Sequence, residues 1–379
     1  MRKKILMLAL AAMMALPAVA QEKYALEGAM PAFTDEIKAE LTYPMARRNS
    51  RMSFRRWRRQ ARAKLFECMG PSMPSAPFDM EVLESERREG FTAQRIAFNI
   101  SAYERVPAYL LVPDGEGPFP AILLLHDHGA RFSIGKEKMV KPLESEGEAV
   151  RKDADDWQDA CYDARYVGDY YASNGFVVLS VDALFWGDRG RRQGVDYDAQ
   201  QAFASNMEQL GYHWAGVITY DDITSVHLLQ SLPFVDAGRI GACGHSMGGK
   251  RAWMLSAATD DVKAAASICW ICTTDALMTY TNNQNKGGSA WSMNIPDIVR
   301  YMDYADIASI AAPKPMVFYN GSRDKLFPVE GVERSHAILR SVWEERGAGD
   351  RLQTRIWDEK HYFNREMQDS VLAFFKKYL

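Results

Sequence analysis

The chain has 379 residues, and it has little cysteine and few long apolar runs. Five cysteines are too few to build a fold on disulfides, and their odd number leaves at least one thiol unpaired within a monomer. After residue 20, no apolar run is long enough to cross a membrane. The net charge is −3, and no basic stripe runs through the second half of the chain. These features argue against a disulfide scaffold, a membrane span and nucleic acid as a partner.

Few residues of the chain have the spacing that is typical of metal ligands. The segment Cys269-Trp270-Ile271-Cys272 has redox spacing, but it follows an apolar strand instead of opening a helix. We interpret its two cysteines as buried packing residues. His126 and His128 could together bind a metal, although the sequence offers no visible third ligand. We therefore expect neither a metal nor a cofactor.

The first twenty residues have the three parts of a secretory signal peptide. Residues 2–4 are basic, residues 5–16 form a short apolar run, and residues 18–20 are the small residues Ala-Val-Ala. This order predicts cleavage between Ala20 and Gln21 and export to a periplasm or to the medium. An uncleaved membrane anchor is the alternative.

Strands and helices alternate along most of the chain. The predicted strands span 91–100, 108–112, 120–125, 176–181, 240–243, 315–319 and 352–357, and one more lies within 262–271. The predicted helices span 57–68, 159–174, 216–232, 332–345 and 365–378. This alternation is typical of α/β proteins and predicts a doubly wound, mostly parallel sheet with helices on both faces. We expect a helical extension at 21–90, packed on one catalytic domain at 91–379.

Arginines are concentrated near the N-terminus. The cluster consists of Arg47, Arg48, Arg51, Arg55, Arg56, Arg58, Arg59 and Arg62. We interpret it as the solvated face of an amphipathic helix whose apolar residues, including Trp57, turn inward. A patch that binds polyanions is the alternative interpretation.

The most informative motif is Gly244-His245-Ser246-Met247-Gly248, which has the pattern Gly-x-Ser-x-Gly. It follows a short apolar strand and precedes a helix-forming segment, which is the context of a nucleophile elbow. The two glycines let strand and helix approach closely on either side of a strained serine. The motif therefore predicts Ser246 as a nucleophile, against the alternative of a glycine-rich turn with an incidental serine.

A serine nucleophile needs a base and a group that orients the base, and in this architecture both follow the serine along the chain. Asp324 lies in the loop after strand 315–319, and His361 lies between strand 352–357 and the last helix. His336, the other histidine beyond Asp324, falls within a helical pattern. We predict the triad Ser246, Asp324 and His361; a turn-capping aspartate and a surface-loop histidine are the alternatives.

An oxyanion hole requires backbone N–H donors near the serine. We expect one from Met247, the residue after the nucleophile, and one from the loop His126-Asp127-His128-Gly129. Within that loop we favour the amide of His128, with Asp127 as the neighbouring alternative.

Two long segments, 186–214 and 273–304, follow strands without forming a clear element, so they should lie over the carboxyl edge of the sheet. Their aromatic and amide side chains are Trp186, Tyr197, Tyr212, Trp214, Tyr280, Asn282, Asn283, Asn285, Trp291 and Tyr301. Such a mixture suits a sugar ring, which offers both C–H faces and hydroxyls. We take Trp186 and Trp291 as candidate substrate contacts, with ordinary loop packing as the alternative.

Together these residues resemble the α/β-hydrolase superfamily from about residue 91 to the C-terminus. Segments 105–113, 121–129, 181–183 and 235–241 are similar to the dienelactone hydrolase and acetyl xylan esterase group, including exported proteins of Bacteroides-type bacteria. The resemblance implies an esterase that removes acyl groups, foremost acetyl, from plant polysaccharide. It also implies the catalytic roles given above for Ser246, Asp324 and His361, and the hole at Met247 and His128.

A second resemblance competes. Glucuronoyl esterases carry Gly-Cys-Ser-Arg-x-Gly-Lys around the nucleophile; Lys250 matches the lysine and implies a substrate contact, but Met247 replaces the arginine. A glucuronoyl or pectin methylesterase is therefore one alternative. A serine peptidase and a non-enzymatic carbohydrate-binding protein are the others. The sequence leaves the oligomeric state open.

Overall fold

The computed structural model describes residues 26–27, 30–31, 33–282 and 287–379. The predicted signal peptide and its cleavage point lie outside these residues, as do Asn283 and Asn285. Within the described part of the chain, none of the helices combines the length and apolar character needed to cross a membrane. Two short strands near the N-terminus, Leu26–Glu27 and Met30–Pro31, pair antiparallel with each other.

A nine-stranded sheet forms the centre of the fold. Its strands are β1 (Glu81–Arg88), β2 (Phe91–Asn99), β3 (Arg105–Pro113), β4 (Phe119–Leu125), β5 (Val177–Val181), β6 (Val235–His245), β7 (Ala264–Ile268), β8 (Met316–Gly321) and β9 (Leu352–Trp357). Their order across the sheet is β9-β8-β7-β6-β4-β5-β3-β2-β1. Strands β4 to β9 run parallel, whereas β1, β2 and β3 join antiparallel at one side. The predicted doubly wound, mostly parallel sheet is confirmed.

Helices cover both faces of this sheet. They are α1 (Thr34–Ala39), α2 (Phe54–Met69), α3 (Glu148–Cys161), α4 (Val167–Ala172), α5 (Tyr197–Gln209), α6 (Trp214–Ser231), α7 (Met247–Ala258), α8 (Thr274–Leu277), α9 (Tyr304–Ala308), α10 (Val329–Glu345) and α11 (Arg365–Tyr378). Strand β4 shows the two-sided burial directly, because Leu123 and Leu125 face one apolar core and Ile122 and Leu124 the other. Continuous apolar strands are expected in a sheet covered on both faces.

Three sequence expectations need correction. Strand β1 lies within the expected helical extension at 21–90. It is an exposed edge strand, so its sequence is charged and lacks the alternation of apolar residues that predicts a strand. The helix predicted at 159–174 is two helices, α3 and α4, because Asp163 and Ala164 between them adopt positive φ values of 57° and 52°. Helices α5 and α8 lie inside segments 186–214 and 273–304, where the sequence indicates no clear element.

The arginine cluster also differs from a purely solvated face. Arg47 pairs with Glu345, its Nε lying 2.8 Å from Oε2, and Arg48 contacts Asp306. Arg58 and Arg62 both contact Asp260. These partners lie far along the chain: Glu345 at the end of α10, Asp306 in α9 and Asp260 in the loop after α7. Part of the cluster therefore holds α2 and the segment before it against the rest of the fold.

Candidate active site

The turn between β6 and α7 has the geometry of a nucleophile elbow. Ser246 adopts φ 55° and ψ −123°, a strained backbone conformation for a residue with a side chain. A Cβ at Gly248 would overlap the carbonyl oxygen of Leu125, and one at Gly244 would overlap Gly248 itself. The glycines on both sides of Ser246 are therefore required by close backbone approach, as the motif predicted.

Asp324 and His361 come together at the carboxyl edge of the sheet, after β8 and β9. The Nδ1 of His361 lies 2.6 Å from Oδ2 of Asp324, and the carboxylate is fully buried. The other carboxylate oxygen, Oδ1, accepts the N–H of Leu326 at 2.8 Å. Both oxygens are thus fixed, which favours the tautomer of His361 that carries its proton on Nδ1.

The ring of His361 is held between two other rings. It stacks on Phe327 at a centroid distance of 5.8 Å and lies 4.7 Å from the ring of His245. Because His245 directly precedes Ser246, the elbow and the Asp324–His361 pair lie side by side. Burial, and then the neighbouring His361, lower the pKa of His245 to about 3, so His245 is neutral at physiological pH. It is a packing neighbour of the site, as we expected.

The loop after β4, which carries the predicted oxyanion donor, is fixed by a buried carboxylate. Oδ2 of Asp127 accepts the hydroxyl of Tyr162 at 2.6 Å and the indole N–H of Trp157 at 3.0 Å. Lys138 Nζ donates to the carbonyl oxygens of Asp127 and His128, each at 3.0 Å. Burial alone would raise the pKa of Asp127, but Lys138 and these donors hold it well below its usual range.

The amides proposed for the oxyanion hole lie on two neighbouring turns. Met247 is the first residue of α7, so its N–H has no acceptor within the helix. The His128 ring accepts the N–H of Ala130 through Nδ1 at 3.0 Å, which fixes the turn that carries the His128 amide. Nε2 of His126 accepts the N–H of Ala183 at 2.9 Å. Backbone N–H groups therefore occupy one ring nitrogen of each histidine in the pair His126 and His128.

A second buried charge cluster supports the same loop, and the sequence did not reveal it. Lys136 is fully buried, and its Nζ lies 2.9 Å from Glu137, 3.0 Å from Asp182 and 2.7 Å from Asp188. Burial alone would lower the pKa of Lys136, but the carboxylates raise it well above the ordinary value. The run Lys-Glu-Lys at 136–138 resembles surface sequence, and its partners Asp182 and Asp188 lie too far along the chain for the local sequence to indicate the cluster.

Lys250 lies one turn into α7 and is buried. Its Nζ is 5.2 Å from the ring centroid of Trp270 and 5.6 Å from that of Tyr304. Among the described residues it forms no ion pair, and burial lowers its pKa to about 7. It borders a small internal cavity beside Met247. The predicted substrate contact is thus a lysine enclosed by aromatic rings, close to the elbow.

The two tryptophans chosen from the long segments have different surroundings. Trp186 is fully buried, stacks on Phe132 at 4.6 Å and donates its indole N–H to the His128 carbonyl oxygen at 3.2 Å. It supports the loop after β4 and offers no free face, which corrects our expectation of a substrate contact. Trp291 is half-buried and lies 4.6 Å from the exposed ring of Tyr197. This pair joins the two segments and keeps an aromatic surface open to solvent.

One group of potential metal ligands occurs among the described residues. Ligand atoms of His245, Cys269 and His361 all lie within 4.8 Å of one another. His361 is already bound to Asp324, and the thiol of Cys269 lies 3.6 Å from the carbonyl oxygen of Tyr362. Burial raises the pKa of this thiol well above its ordinary value, so in these surroundings the thiol carries its proton.

Comparisons with known proteins bear on the family and on the fold. A family model described as the Abhydrolase family matches residues 24–368. A protein of Bacillus subtilis (strain 168), named "Putative hydrolase YtaP", is 27% identical over 323 residues, covering 85% of this chain and 100% of its own.

Similar folds occur among solved structures. One, titled as a "putative acetyl xylan esterase" from Bacteroides fragilis, has a TM-score of 0.72 and 19% identity, covering 91% of this chain and 94% of its own. A structure titled as a glucuronoyl esterase from Solibacter usitatus has a TM-score of 0.59 and 17% identity, covering 84% and 91%. At these identities the likeness is one of fold.

Proposed function

Since the chain belongs to the Abhydrolase family of hydrolases, we propose that it is a serine esterase that removes acyl groups, foremost acetyl, from plant polysaccharides or oligosaccharides. The single observation that carries this proposal is the 2.6 Å pair of His361 Nδ1 and Asp324 Oδ2 beside the strained elbow at Ser246. Such an arrangement supplies a nucleophile, a base and the group that orients the base.

The reaction begins with Ser246. Its hydroxyl attacks the ester carbonyl carbon while Nε2 of His361 takes the proton. Asp324 keeps the other ring nitrogen protonated and stabilises the imidazolium that forms. A serine hydroxyl is a weak nucleophile at neutral pH, so this proton transfer is what makes the attack possible.

The tetrahedral intermediate carries a negative oxygen, which the amides of Met247 and His128 would bind. A single donor of this kind contributes about 3–4 kcal/mol to lowering the barrier. His361 then protonates the departing sugar hydroxyl, leaving an acyl group on Ser246. A water molecule repeats the sequence with His361 as base and releases the carboxylic acid.

Two features support a glycan substrate, and a third supports export. The solved neighbour titled as an acetyl xylan esterase has the highest fold similarity of those described above. The half-buried Trp291 beside Tyr197 offers an aromatic surface on which a sugar ring can stack. The sequence of the first twenty residues adds the expectation of export, to a periplasm or to the medium.

A methyl ester of a uronic acid is the second candidate substrate. Lys250 matches a lysine of the glucuronoyl esterase pattern, and one solved neighbour is titled as such an esterase. However, Met247 stands where that pattern has arginine, and the ammonium of Lys250 is enclosed by Trp270 and Tyr304. The acyl esterase therefore has the better support.

The test is product analysis on a panel of acetylated xylans and methyl-esterified pectins and glucuronoxylans. We expect release of acetate by the natural protein and none by a Ser246→Ala variant that keeps its circular dichroism spectrum. Release of methanol alone would support the methyl-uronate candidate. Full turnover by Ser246→Ala would contradict the proposed mechanism for either substrate.

A further inference from the structure

A groove of about 600 Å³ runs beside helix α2, away from the elbow. Its walls carry the arginines Arg55, Arg58, Arg59, Arg62 and Arg346. We propose that this groove is a second binding site, which holds a carboxylate-bearing glycan chain. The choice of a glycan rests on the proposed function, whereas the expectation of a carboxylate ligand rests on the groove alone.

The groove has more positive charge than its surroundings neutralise. Arg58 and Arg62 share one carboxylate, that of Asp260, whose side chain is 59% exposed. Among the described residues, Arg55 and Arg59 form no ion pair with any carboxylate, and Arg346 has only the neighbouring Glu345, which is already paired with Arg47. Burial, and then the neighbouring Arg62, lower the pKa of Arg58, which is the direction expected where like charges crowd together.

The arginine side chains are held in place on one side of the groove. Nε of Arg58 donates to the carbonyl oxygen of Ile310, and Nε of Arg62 to that of Ala257, each at 2.8 Å. Arg346 lies over the ring of Phe54 at 4.7 Å. Guanidinium groups fixed in this way lose little further freedom when an anion binds, and their planar N–H pairs match a carboxylate.

The position of the groove separates it from the elbow. Ser246 precedes α7, and Arg62 binds Ala257, next to the last residue of that helix. A helix of 12 residues at about 1.5 Å per residue is roughly 18 Å long, so the arginines lie at the far end of α7. A ligand in the groove therefore leaves the elbow free, and a long polymer could contact both.

Apolar surface inside the groove suits the sugar ring that the proposed function indicates. Phe66 and Pro313 contribute partly exposed apolar surface to its lining, whereas the ring of Phe54 is buried beneath Arg346. Aromatic and proline faces pack against the C–H faces of sugar rings, while arginines bind the carboxylates. Helix α2 turns its other apolar residues, such as Trp57 and Leu65, into the core, so it has no free apolar face with which to enter a lipid surface.

The experiment measures retardation in affinity gels that contain polygalacturonate, with neutral xylan gels as reference. The test variant is Arg55→Ala/Arg59→Ala. The matched control is Arg51→Ala/Arg56→Ala, which removes the same charge from exposed positions nearby that do not line the groove. We expect the natural protein and the control to bind polygalacturonate with similar affinity. We expect the test variant to bind it at least about tenfold more weakly.

Equal weakening by both double variants would overturn the proposal, because the effect would then be one of overall charge. Absence of retardation in the natural protein would also overturn it. So would preferential binding of phosphatidylglycerol vesicles or duplex DNA through Arg55 and Arg59. Ser246→Ala should still bind the polymer, and the groove variant should still hydrolyse p-nitrophenyl acetate. A failure of this site is therefore distinguishable from a failure of the proposed esterase.

Discussion

Replacing Asp324 by asparagine tests how the proposed base is oriented. Oδ1 of Asp324 accepts the N–H of Leu326 at 2.8 Å, and Oδ2 faces Nδ1 of His361 at 2.6 Å. In Asp324→Asn, the amide oxygen keeps the bond to Leu326, so the NH₂ group must face His361. The imidazole then has to accept through Nδ1 and carry its proton on Nε2, the nitrogen that should take the proton of Ser246.

The expected loss follows from this change of tautomer. A correctly placed ring with the wrong nitrogen protonated cannot act as a base, and the equivalent change in serine hydrolases lowers kcat about 10⁴-fold. This corresponds to about 5 kcal/mol of barrier. Asparagine has nearly the same volume as aspartate, and the hydrogen bonds can be kept, so we expect little change in thermal stability.

The assay is hydrolysis of p-nitrophenyl acetate at pH 7, with Tm measured in parallel. Asp358→Asn is the matched control, since Asp358 lies three residues before His361, is 88% exposed and pairs only with Arg323 and Ser322 within the described chain. We expect the control to retain its rate within about twofold. A loss of less than about tenfold in Asp324→Asn would refute the proposed role of Asp324.

Two further changes test the elbow and its surroundings. Gly248→Ala places a methyl group on the carbonyl oxygen of Leu125, so we expect loss of soluble folded protein or of activity. Gly147→Ala is the control, because the space around Gly147 is open, and it should change little. A fully active Gly248→Ala variant would contradict the close approach of the two backbones. The pKa of Lys250 is about 7 in the native protein and 10.5 for the free side chain. Between pH 7 and pH 10.5, the unfolded chain therefore binds a proton that the native chain lacks. The free energy of unfolding consequently rises with pH in this range. Lys250→Met should therefore stabilise the protein more at pH 6 than at pH 9 in urea unfolding; an equal gain at both would contradict the burial of a titrating lysine.

The sequence was sufficient where chemistry and burial follow simple patterns. An apolar strand such as 120–125 requires cover on both faces, and the tight turn at Ser246 requires glycines on either side. The buried strand and the turn could therefore be predicted from the local sequence. The order of Asp324 and His361 along the chain, each after a strand, brought them to the same edge of a parallel sheet. The catalytic roles of these residues stay predictions until they are tested.

Other features depend on contacts between distant residues. The strand Glu81–Arg88 is charged because it forms an exposed edge, and only its pairing with the next strand makes it a strand. Lys136 is buried because Asp182 and Asp188, more than forty residues away, neutralise it. A tryptophan in a long loop resembles a binding residue, but Trp186 is fully buried and its indole donates to the backbone of the loop after β4.

The most direct test of the proposed mechanism is to find the acyl group on the protein during turnover. The protein would be quenched in acid while hydrolysing acetylated xylan or p-nitrophenyl acetate, digested, and analysed by mass spectrometry. We expect acetyl on the peptide that contains Ser246, and no acetyl in a protein with Ser246→Ala. Continued release of acetate without acetyl on Ser246, or with acetyl on a different residue, would contradict the account.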